Sequence, residues 1–304
     1  MRIVFMGTPD FAVPSLEILA QNGYEIVAVI TAPDKPAGRG LKMQPSAVKT
    51  AAERLNLPVW QPEKLKNEDF LTRLRALRAD LQIVVAFRML PEAVWAMPPL
   101  GTFNLHASLL PQYRGAAPIN WAIVNGETET GVTTFFLRHE IDTGDIIMQA
   151  KEPIYRNDTA GTLYERLMHK GAQLVLQTVQ AIEKGEVNPI PQPQLATEEL
   201  KTAPKIFKET CRINFYQTAE NIFNFVRGMN PLPTAWTIRN EKTYKIYKVQ
   251  PFTDSMPYQP GEWYTDGKNF LHIGTIDGYV AVEELQLEGK KRMRIAEFLR
   301  GNRV

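Results

Sequence analysis

The residues of this chain whose types and spacing could perform chemistry are Asn104, His106 and Asp142. Asn104 and His106 stand two positions apart in an apolar run, so in a β-strand their side chains point to the same face. An amide and an imidazole that converge there can hold the oxygen of a reacting carbonyl group. Asp142, which opens the segment Asp142-Thr143-Gly144-Asp145, adds a carboxylate that can orient the imidazole and favour its charged form. Asp145 is the alternative carboxylate for that role.

These side chains need a scaffold that brings strand ends together, and hydrophobic patterning predicts one. A strand over residues 2–6, a helix over 13–21 and a strand over 25–30 form a βαβ unit. Helices follow at 46–55, 70–77 and 118–124, strands at 81–86 and 102–106, a closing antiparallel pair at 132–136 and 146–150, and a long helix that ends at Gly185. Residues 1–187 are therefore predicted to form a doubly wound α/β domain with a mostly parallel sheet, which binds ligands at the carboxyl ends of its strands.

A second domain is predicted after a proline-rich linker at residues 188–204. Alternating prolines in residues 188–194 favour an extended, semi-rigid chain. Residues 205–304 then predict a helix over 219–228 and short strands at 235–238, 245–249, 269–274 and 279–287, separated by turn residues. We expect a C-terminal OB-like β-barrel of five strands.

Composition narrows the class of protein. The single cysteine, Cys211, excludes an internal disulfide, and the four histidines show no paired metal-ligand spacing, so we expect no metal. No run approaches the ~20 apolar residues of a membrane span, and we expect a cytoplasmic protein. Residues 201–304 hold 16 lysines and arginines against 11 acidic residues, whereas residues 1–200 hold 19 against 22. The basic segment 201–304 suggests an anionic partner.

The residues Asn104, His106, the Ser108-Leu109-Leu110-Pro111 turn and the sequence IDTGD at 141–145 resemble the formyltransferases that use 10-formyltetrahydrofolate. The resemblance covers residues 1–304 and implies a Rossmann-like formyltransferase domain. It implies that Asn104 and His106 stabilise an oxyanion and that Asp142, the first aspartate of the motif, assists proton transfer. It implies no covalent nucleophile, no metal and no NAD.

The same resemblance implies where the folate binds. The turn formed by Ser108, Leu109, Leu110 and Pro111 is similar to the family's folate-binding turn. The segment with Ala86, Phe87 and Leu90, at the end of the neighbouring strand, resembles the family's pterin-pocket segment. Both are expected to contact 10-formyltetrahydrofolate.

The loop at residues 31–42 contains PDKPAGRG, in which Pro and Gly are expected to exclude regular structure. It resembles the insertion that distinguishes family members acting on methionyl-tRNA from those acting on glycinamide ribonucleotide. It therefore implies contacts from Lys35, Arg39 and Lys42 to the acceptor arm of the tRNA. Further tRNA contacts are implied in the second domain, at Lys205, Lys290, Lys291 and Arg292. The resemblance thus implies a monomeric enzyme that formylates the α-amine of methionyl-initiator tRNA for translation initiation.

Three other functions fit parts of the sequence. A formyltransferase acting on an amino-sugar nucleotide would share the chemistry, although the PDKPAGRG loop argues against it. A dinucleotide-dependent oxidoreductase would share the fold class, but Gly7-Thr8-Pro9 lacks the GxGxxG pattern and Pro9 removes a backbone donor. A non-catalytic RNA-binding module would need only the basic second domain.

Overall fold

A mostly parallel sheet organises the N-terminal part of the chain. The computed structural model describes residues 1–37, 42–195, 199–253 and 258–302. The chain divides into a first unit of residues 1–114, 131–152 and 164–201 and a second unit of residues 115–130, 153–163 and 202–304. The boundaries 1–187, 188–204 and 205–304 stay a prediction.

The secondary-structure elements have the following bounds. The strands are β1 (Arg2–Gly7), β2 (Glu25–Ile30), β3 (Lys35–Ala37), β4 (Lys42–Gln44), β5 (Val59–Trp60), β6 (Leu81–Val85), β7 (Thr102–His106), β8 (Arg114–Gly115), β9 (Glu129–Phe136), β10 (Ile146–Pro153), β11 (Thr202–Ala203), β12 (Ala235–Arg239), β13 (Lys242–Thr253), β14 (Trp263–Thr265), β15 (Leu271–Gly274), β16 (Gly278–Leu287) and β17 (Met293–Arg294). The helices are α1 (Val13–Gln21), α2 (Ala47–Arg54), α3 (Glu68–Ala76), α4 (Glu92–Trp95), α5 (Pro118–Val124), α6 (Ala160–Lys184), α7 (Ala219–Gly228) and α8 (Ile295–Gly301).

The large sheet has the strand order β10-β9-β7-β6-β1-β2-β5. The strands from β7 to β5 are paired in parallel, and β9 runs antiparallel to β7. Side chains of β1 and β6 are buried on both faces, as is typical of a parallel strand covered by helices on each side. This confirms the predicted doubly wound α/β fold class.

Capping side chains determine where two of the flanking helices begin. The Ser46 hydroxyl accepts a hydrogen bond from the backbone N–H of Lys49, 3.0 Å away, at the start of α2. The Asn67 side chain accepts from the N–H of Phe70 at 3.1 Å and begins α3. Each cap satisfies one of the backbone donors that a helix leaves unpaired at its N-terminus.

The loop at 31–42 contains more regular structure than its prolines predict. Lys35–Ala37 and Lys42–Gln44 pair as the short antiparallel strands β3 and β4. Asp34, just before β3, accepts hydrogen bonds from Lys49 Nζ and Gln61 Nε2, both at 2.7 Å. These bonds lower the pKa of Asp34. They anchor the base of the hairpin because they tie it to side chains outside the loop.

The second unit contains an antiparallel sheet in the order β12-β13-β16-β15-β14, with the short β17 paired to β16. Its core is formed by apolar side chains of the sheet, α7 and α8, and includes Met229, Leu271, Leu285 and Phe298. Helix α7 begins at Thr218, whose hydroxyl accepts from Asn221 N–H at 3.2 Å. An antiparallel C-terminal sheet domain is thus confirmed. Within the described residues, no helix has the length and apolar character needed to cross a bilayer.

Candidate active site

Strand β7 carries two of the proposed catalytic side chains in the interior of the large sheet. It is flanked by β6 and β9, with Asn104 opposite Val84 and Phe135, and His106 opposite Thr133. Alternation along the strand places Asn104 and His106 on one face. His106 is the last residue of β7, where the sheet's parallel strands β6 and β7 both end.

The imidazole of His106 lies between a backbone carbonyl and a carboxylate. Its Nε2 is 2.9 Å from the carbonyl oxygen of Tyr113, and its Nδ1 is 4.0 Å from Asp142 Oδ2. A carbonyl oxygen only accepts, so Nε2 must carry the hydrogen in that bond. Nδ1 therefore faces the carboxylate at ion-pair range, beyond hydrogen-bond range. The His106 and Asp142 side chains are only 7% and 12% exposed, so solvent screens their interaction weakly.

Asn104 has unused hydrogen-bonding capacity. Its Oδ1 is buried and finds no hydrogen-bond partner among the described residues. Buried amide oxygens are nearly always paired in folded proteins, and the exceptions occur where a ligand or a catalytic role explains them. Asn104 therefore fits a site that receives a polar group.

The loop between β9 and β10 delivers Asp142. Asp142 adopts the left-handed backbone conformation, with φ of 55°, which is uncommon outside functional and turn positions. The neighbouring Asp145 pairs with Arg138 instead. The structure thus brings Asp142, rather than Asp145, to the imidazole.

The proposed folate turn is fixed by one hydroxyl group on β9. Thr133 Oγ1 donates to the Ser108 carbonyl at 2.6 Å and accepts from Leu110 N–H at 3.1 Å and from Gln149 Nε2 at 2.9 Å. Gln149 Nε2 also donates to the Leu110 carbonyl at 2.8 Å. The side chains of Ser108, Leu110 and Pro111 are buried and that of Leu109 is half-buried. The side chains of Thr133 and Gln149 therefore hold the turn through its backbone groups.

The other proposed folate segment leaves the sheet beside this turn, because β6 and β7 are parallel neighbours. Ala86 is exposed and has a φ of 46°. Phe87 is half-buried, and Leu90 packs in the core. Arg88 donates from Nη1 to the carbonyl of Glu63 at 2.8 Å, and burial lowers the pKa of Arg88. Contacts of Ala86, Phe87 and Leu90 with folate stay a prediction.

The proposed tRNA contacts lie apart from this constellation in sequence. Lys35 is exposed, Arg39 lies outside the described residues, and Lys42 is described in its backbone only. In the second unit Lys205 and Lys290 are exposed, Lys291 Nζ is 3.0 Å from Glu297 Oε1, and Arg292 is bound to Glu284 and stacks on Tyr247. Their role toward tRNA stays a prediction.

Three residues support the site although nothing in the sequence around them predicts a role in it. Thr133 and Gln149 hold the turn as described, and the buried Gln192 donates to the carbonyls of Asp142 and Gly144. A polar residue in a strand or a proline-rich segment is usually solvated. Only the tertiary fold shows that Thr133 and Gln192 are interior groups and that the exposed Gln149 contacts the turn.

Comparison with known proteins places this geometry in a family. The model of the family described as formyl transferase matches residues 1–179, and that of the formyl transferase C-terminal domain matches residues 205–303. A methionyl-tRNA formyltransferase of Bacteroides fragilis is 56% identical, over 99% of this chain and 95% of that protein. One from Parabacteroides distasonis is also 56% identical, with the same coverage of both chains.

Solved structures share the fold at lower identity. WlaRD, a sugar 3N-formyl transferase, is 24% identical with a TM-score of 0.67, over 96% of this chain and 99% of that one. HypX from Aquifex aeolicus in complex with tetrahydrofolic acid is 21% identical with a TM-score of 0.63, over 98% of this chain and 47% of that one. This chain thus spans about half the length of HypX. The near-complete match at 56% identity decides the assignment: the chain belongs to the formyl transferase family, among the methionyl-tRNA formyltransferases.

Proposed function

We propose that this protein transfers the formyl group of 10-formyltetrahydrofolate to the α-amine of methionine esterified to initiator tRNA. The observation that carries the proposal is the Asn104, His106 and Asp142 constellation at the end of β7, in a chain 56% identical to methionyl-tRNA formyltransferases. The folate supplies the formyl group. The protein's residues bind it, stabilise charge and move a proton.

The acceptor amine attacks the formyl carbon, and negative charge develops on the formyl oxygen as the new C–N bond forms. The amide of Asn104 and the positive charge of a protonated His106 stabilise that oxygen, and one such donor is worth about 3–4 kcal/mol. The attacking nitrogen must lose a proton, and the folate nitrogen must gain one as its bond to the formyl carbon breaks. Asp142 orients the imidazole and assists removal of the proton from the amine.

The buried Asn104 Oδ1 has no partner among the described residues, so it can accept a hydrogen bond from the attacking amine, whereas Nδ2 of the same amide can donate to the formyl oxygen. The turn at Ser108–Pro111, which Thr133 holds through its backbone groups, follows the same strand. We propose that this turn and the Ala86, Phe87 and Leu90 segment bind the folate. We also propose that Lys35, Arg39 and Lys42 contact the acceptor arm of the tRNA.

The acceptor is tested by supplying 10-formyltetrahydrofolate with either methionyl-tRNA or an amino-sugar nucleotide and measuring formylated product. Formylation of methionyl-tRNA is expected. The sugar nucleotide is the relevant competitor because structures such as WlaRD share the fold. Turnover confined to the sugar nucleotide would overturn the proposed acceptor.

The catalytic trio is tested by Asn104→Ala, His106→Ala and Asp142→Ala. Each should lower kcat by about 10²-fold or more, because each group acts mainly in the transition state. His169→Ala is the matched control, since His169 is exposed on α6. Near wild-type turnover in any of the three variants would remove that residue from the proposed mechanism.

A further inference from the structure

The segment after α6 enters the interior of the first unit. Ile190 and Ile146 exchange two backbone hydrogen bonds, each 2.9 Å long. Two residues later the side chain of Gln192 is fully buried, with 0% exposure. A buried glutamine amide must find partners for two donors and an acceptor oxygen, since an unpaired polar group in the interior is costly.

Gln192 uses this capacity to join two parts of the site. Its Nε2 donates to the carbonyl oxygens of Asp142 and Gly144, both at 2.8 Å. Its Oε1 accepts from Arg114 Nε at 3.0 Å and Arg114 Nη2 at 2.5 Å. The Gln192 amide therefore connects the loop that carries Asp142 to Arg114. Arg114 directly follows Tyr113, and the Tyr113 carbonyl accepts a hydrogen bond from His106 Nε2.

The bond to the Asp142 carbonyl acts on the orientation of that residue. Asp142 has a φ of 55°. The hydrogen bond from Gln192 holds the Asp142 carbonyl, so the Asp142 backbone cannot rotate toward a commoner conformation unless that bond breaks. The Asp142 side chain leaves the same backbone and reaches within 4.0 Å of His106 Nδ1. A change in backbone angle at Asp142 would therefore move the carboxylate away from the imidazole.

We infer that Gln192 is a positioning residue, which holds Asp142 in the backbone conformation that directs its carboxylate at His106. The inference rests on the role of Asp142 in the proposed function. Gln192 itself is placed against backbone carbonyls and Arg114 and acts through Asp142.

The first test is Gln192→Glu, which keeps the side-chain shape and an acceptor for Arg114 but replaces the donor group with an oxygen. We expect kcat to fall about tenfold or more, because the carboxylate is misplaced in the transition state. KM for both substrates should stay within about twofold, because the variant loses no substrate contact. Gln194→Glu is the matched control, since Gln194 is exposed on the same segment and should leave kcat unchanged.

The second test separates positioning from general stability by a double-mutant cycle with Asp142→Ala. If Gln192 acts through Asp142, Gln192→Glu should lower turnover no further in the Asp142→Ala background. Gln192→Met, of similar length but apolar, gives a second variant if Gln192→Glu does not fold, with the same expectation. Thermal unfolding of each variant shows whether it is folded.

Two results would overturn the role of Gln192 and leave the proposed function intact. One is a wild-type kcat in a folded Gln192 variant. The other is a loss of kcat from the Gln192 substitution that is just as large when Asp142 is alanine. Normal turnover in Asp142→Ala by itself would instead overturn the proposed role of Asp142, and this inference with it. An inactive Asp142→Ala together with a fully active Gln192→Glu leaves the proposed function standing. The two failures are thus distinguishable.

Discussion

At the scale of the residue, two neighbours on opposite sides of the His106 ring decide what its nitrogens can do. The Tyr113 carbonyl requires a hydrogen on Nε2. Nδ1, the other ring nitrogen, faces Asp142 Oδ2 at 4.0 Å. The carboxylate is thus placed to orient the imidazole.

Gly144 is expected to tolerate no side chain. A Cβ built on Gly144 would lie 1.6 Å from the Phe136 carbonyl oxygen and 2.8 Å from its carbon, and backbone atoms cannot move aside cheaply. Gly144→Ala should lower the free energy of unfolding by at least about 1–3 kcal/mol. It should also reduce kcat, because it displaces the loop that carries Asp142. Denaturant unfolding and steady-state kinetics measure both effects.

Gly301→Ala is the control for that prediction, since a Cβ at Gly301 meets no described atom within 4 Å apart from its chain neighbours and its own helix backbone. It should leave stability and kcat close to wild type. Equal behaviour of the two alanine variants would contradict the steric argument at Gly144.

Residue-level prediction from sequence succeeded where a local rule applies. The period of two along a strand placed Asn104 and His106 on one face, and the structure has them in β7. No local rule identifies Gln192, because its burial depends on where a proline-rich segment packs. The proximity of Asp142 to His106 was implied by the family resemblance and not by spacing.

At the scale of the element, the turn after β7 depends on β9 more than on its own residues. The hydroxyl of the fully buried Thr133 makes one bond as donor and two as acceptor, to Ser108, Leu110 and Gln149. A hydroxyl can donate once and accept twice, so Thr133 is fully satisfied. Removing it deprives two buried backbone groups, the Ser108 carbonyl and the Leu110 N–H, of this partner.

Thr133→Val keeps the shape of the side chain and removes the hydroxyl. It should lower the free energy of unfolding by about 1–3 kcal/mol, because buried polar groups lose a partner. It should also raise KM for 10-formyltetrahydrofolate, since the proposed folate turn is released. Urea unfolding and initial rates at varied folate measure these changes.

Thr133→Ser is the matched control, because it keeps the hydroxyl and loses only a methyl group. It should retain the wild-type KM for folate and lose about 1 kcal/mol of stability. A similar KM in the valine and serine variants would show that the hydroxyl does not hold the binding turn.

A second element-scale prediction concerns the edge strand β10, which is attached to α6 by Glu152. Burial alone would raise the pKa of Glu152, but hydrogen bonds from Lys170 and Arg166 outweigh it and the pKa is lowered. A carboxylate with a lowered pKa stabilises the fold above its unfolded-state pKa, near 4.3, and loses that contribution as the pH falls through the folded pKa.

Glu152→Gln should therefore be less stable than wild type at pH 7, by about 1–3 kcal/mol for the lost charged hydrogen bonds. The difference should shrink as the pH falls below about 4.3. Unfolding free energies measured at several pH values test the sign. A constant difference down to acid pH would show that the ionised carboxylate does not contribute.

Element boundaries were predictable where the pattern is long and clear. The bounds of α1, β2, β7 and α7 agree with the sequence prediction, because periodic apolar residues and terminal turn residues define them. The strands β5 and β14 were missed. A strand of two or three residues contains at most one and a half periods, too few to show an alternating pattern, so only pairing with its neighbour defines it.

At the scale of the whole molecule, some of the described basic residues in the second unit are paired with nearby carboxylates and others are not. Lys291 and Arg292 contact Glu297 and Glu284, whereas Lys205 and Lys290 have no ion-pair partner among the described residues. A cation already paired with a carboxylate attracts phosphate less than an unpaired one does. Lys205, which lies over the Phe207 ring, and Lys290 have no described carboxylate to compete with phosphate and should therefore contribute more to the binding of tRNA.

Lys205→Ala and Lys290→Ala should each reduce the slope of log affinity against log salt by about one, as expected when one phosphate contact is lost. Lys291→Ala and Arg292→Ala should change the slope less. Filter binding of methionyl-tRNA at several salt concentrations measures the slopes. Slopes equal to wild type in both lysine variants would move the tRNA contacts to other residues.

The position of β7 between β6 and β9 has a consequence for the timing of local opening. Interior strands exchange their amide hydrogens through the costliest openings, whereas edge strands and loops open at lower free energy. The amides of Asn104 and His106 should thus exchange among the slowest in the first unit, and that of Asp142 much faster. The part of the site on β7 would then persist until the whole unit unfolds. The loop that carries Asp142 would open and close many times before each such event.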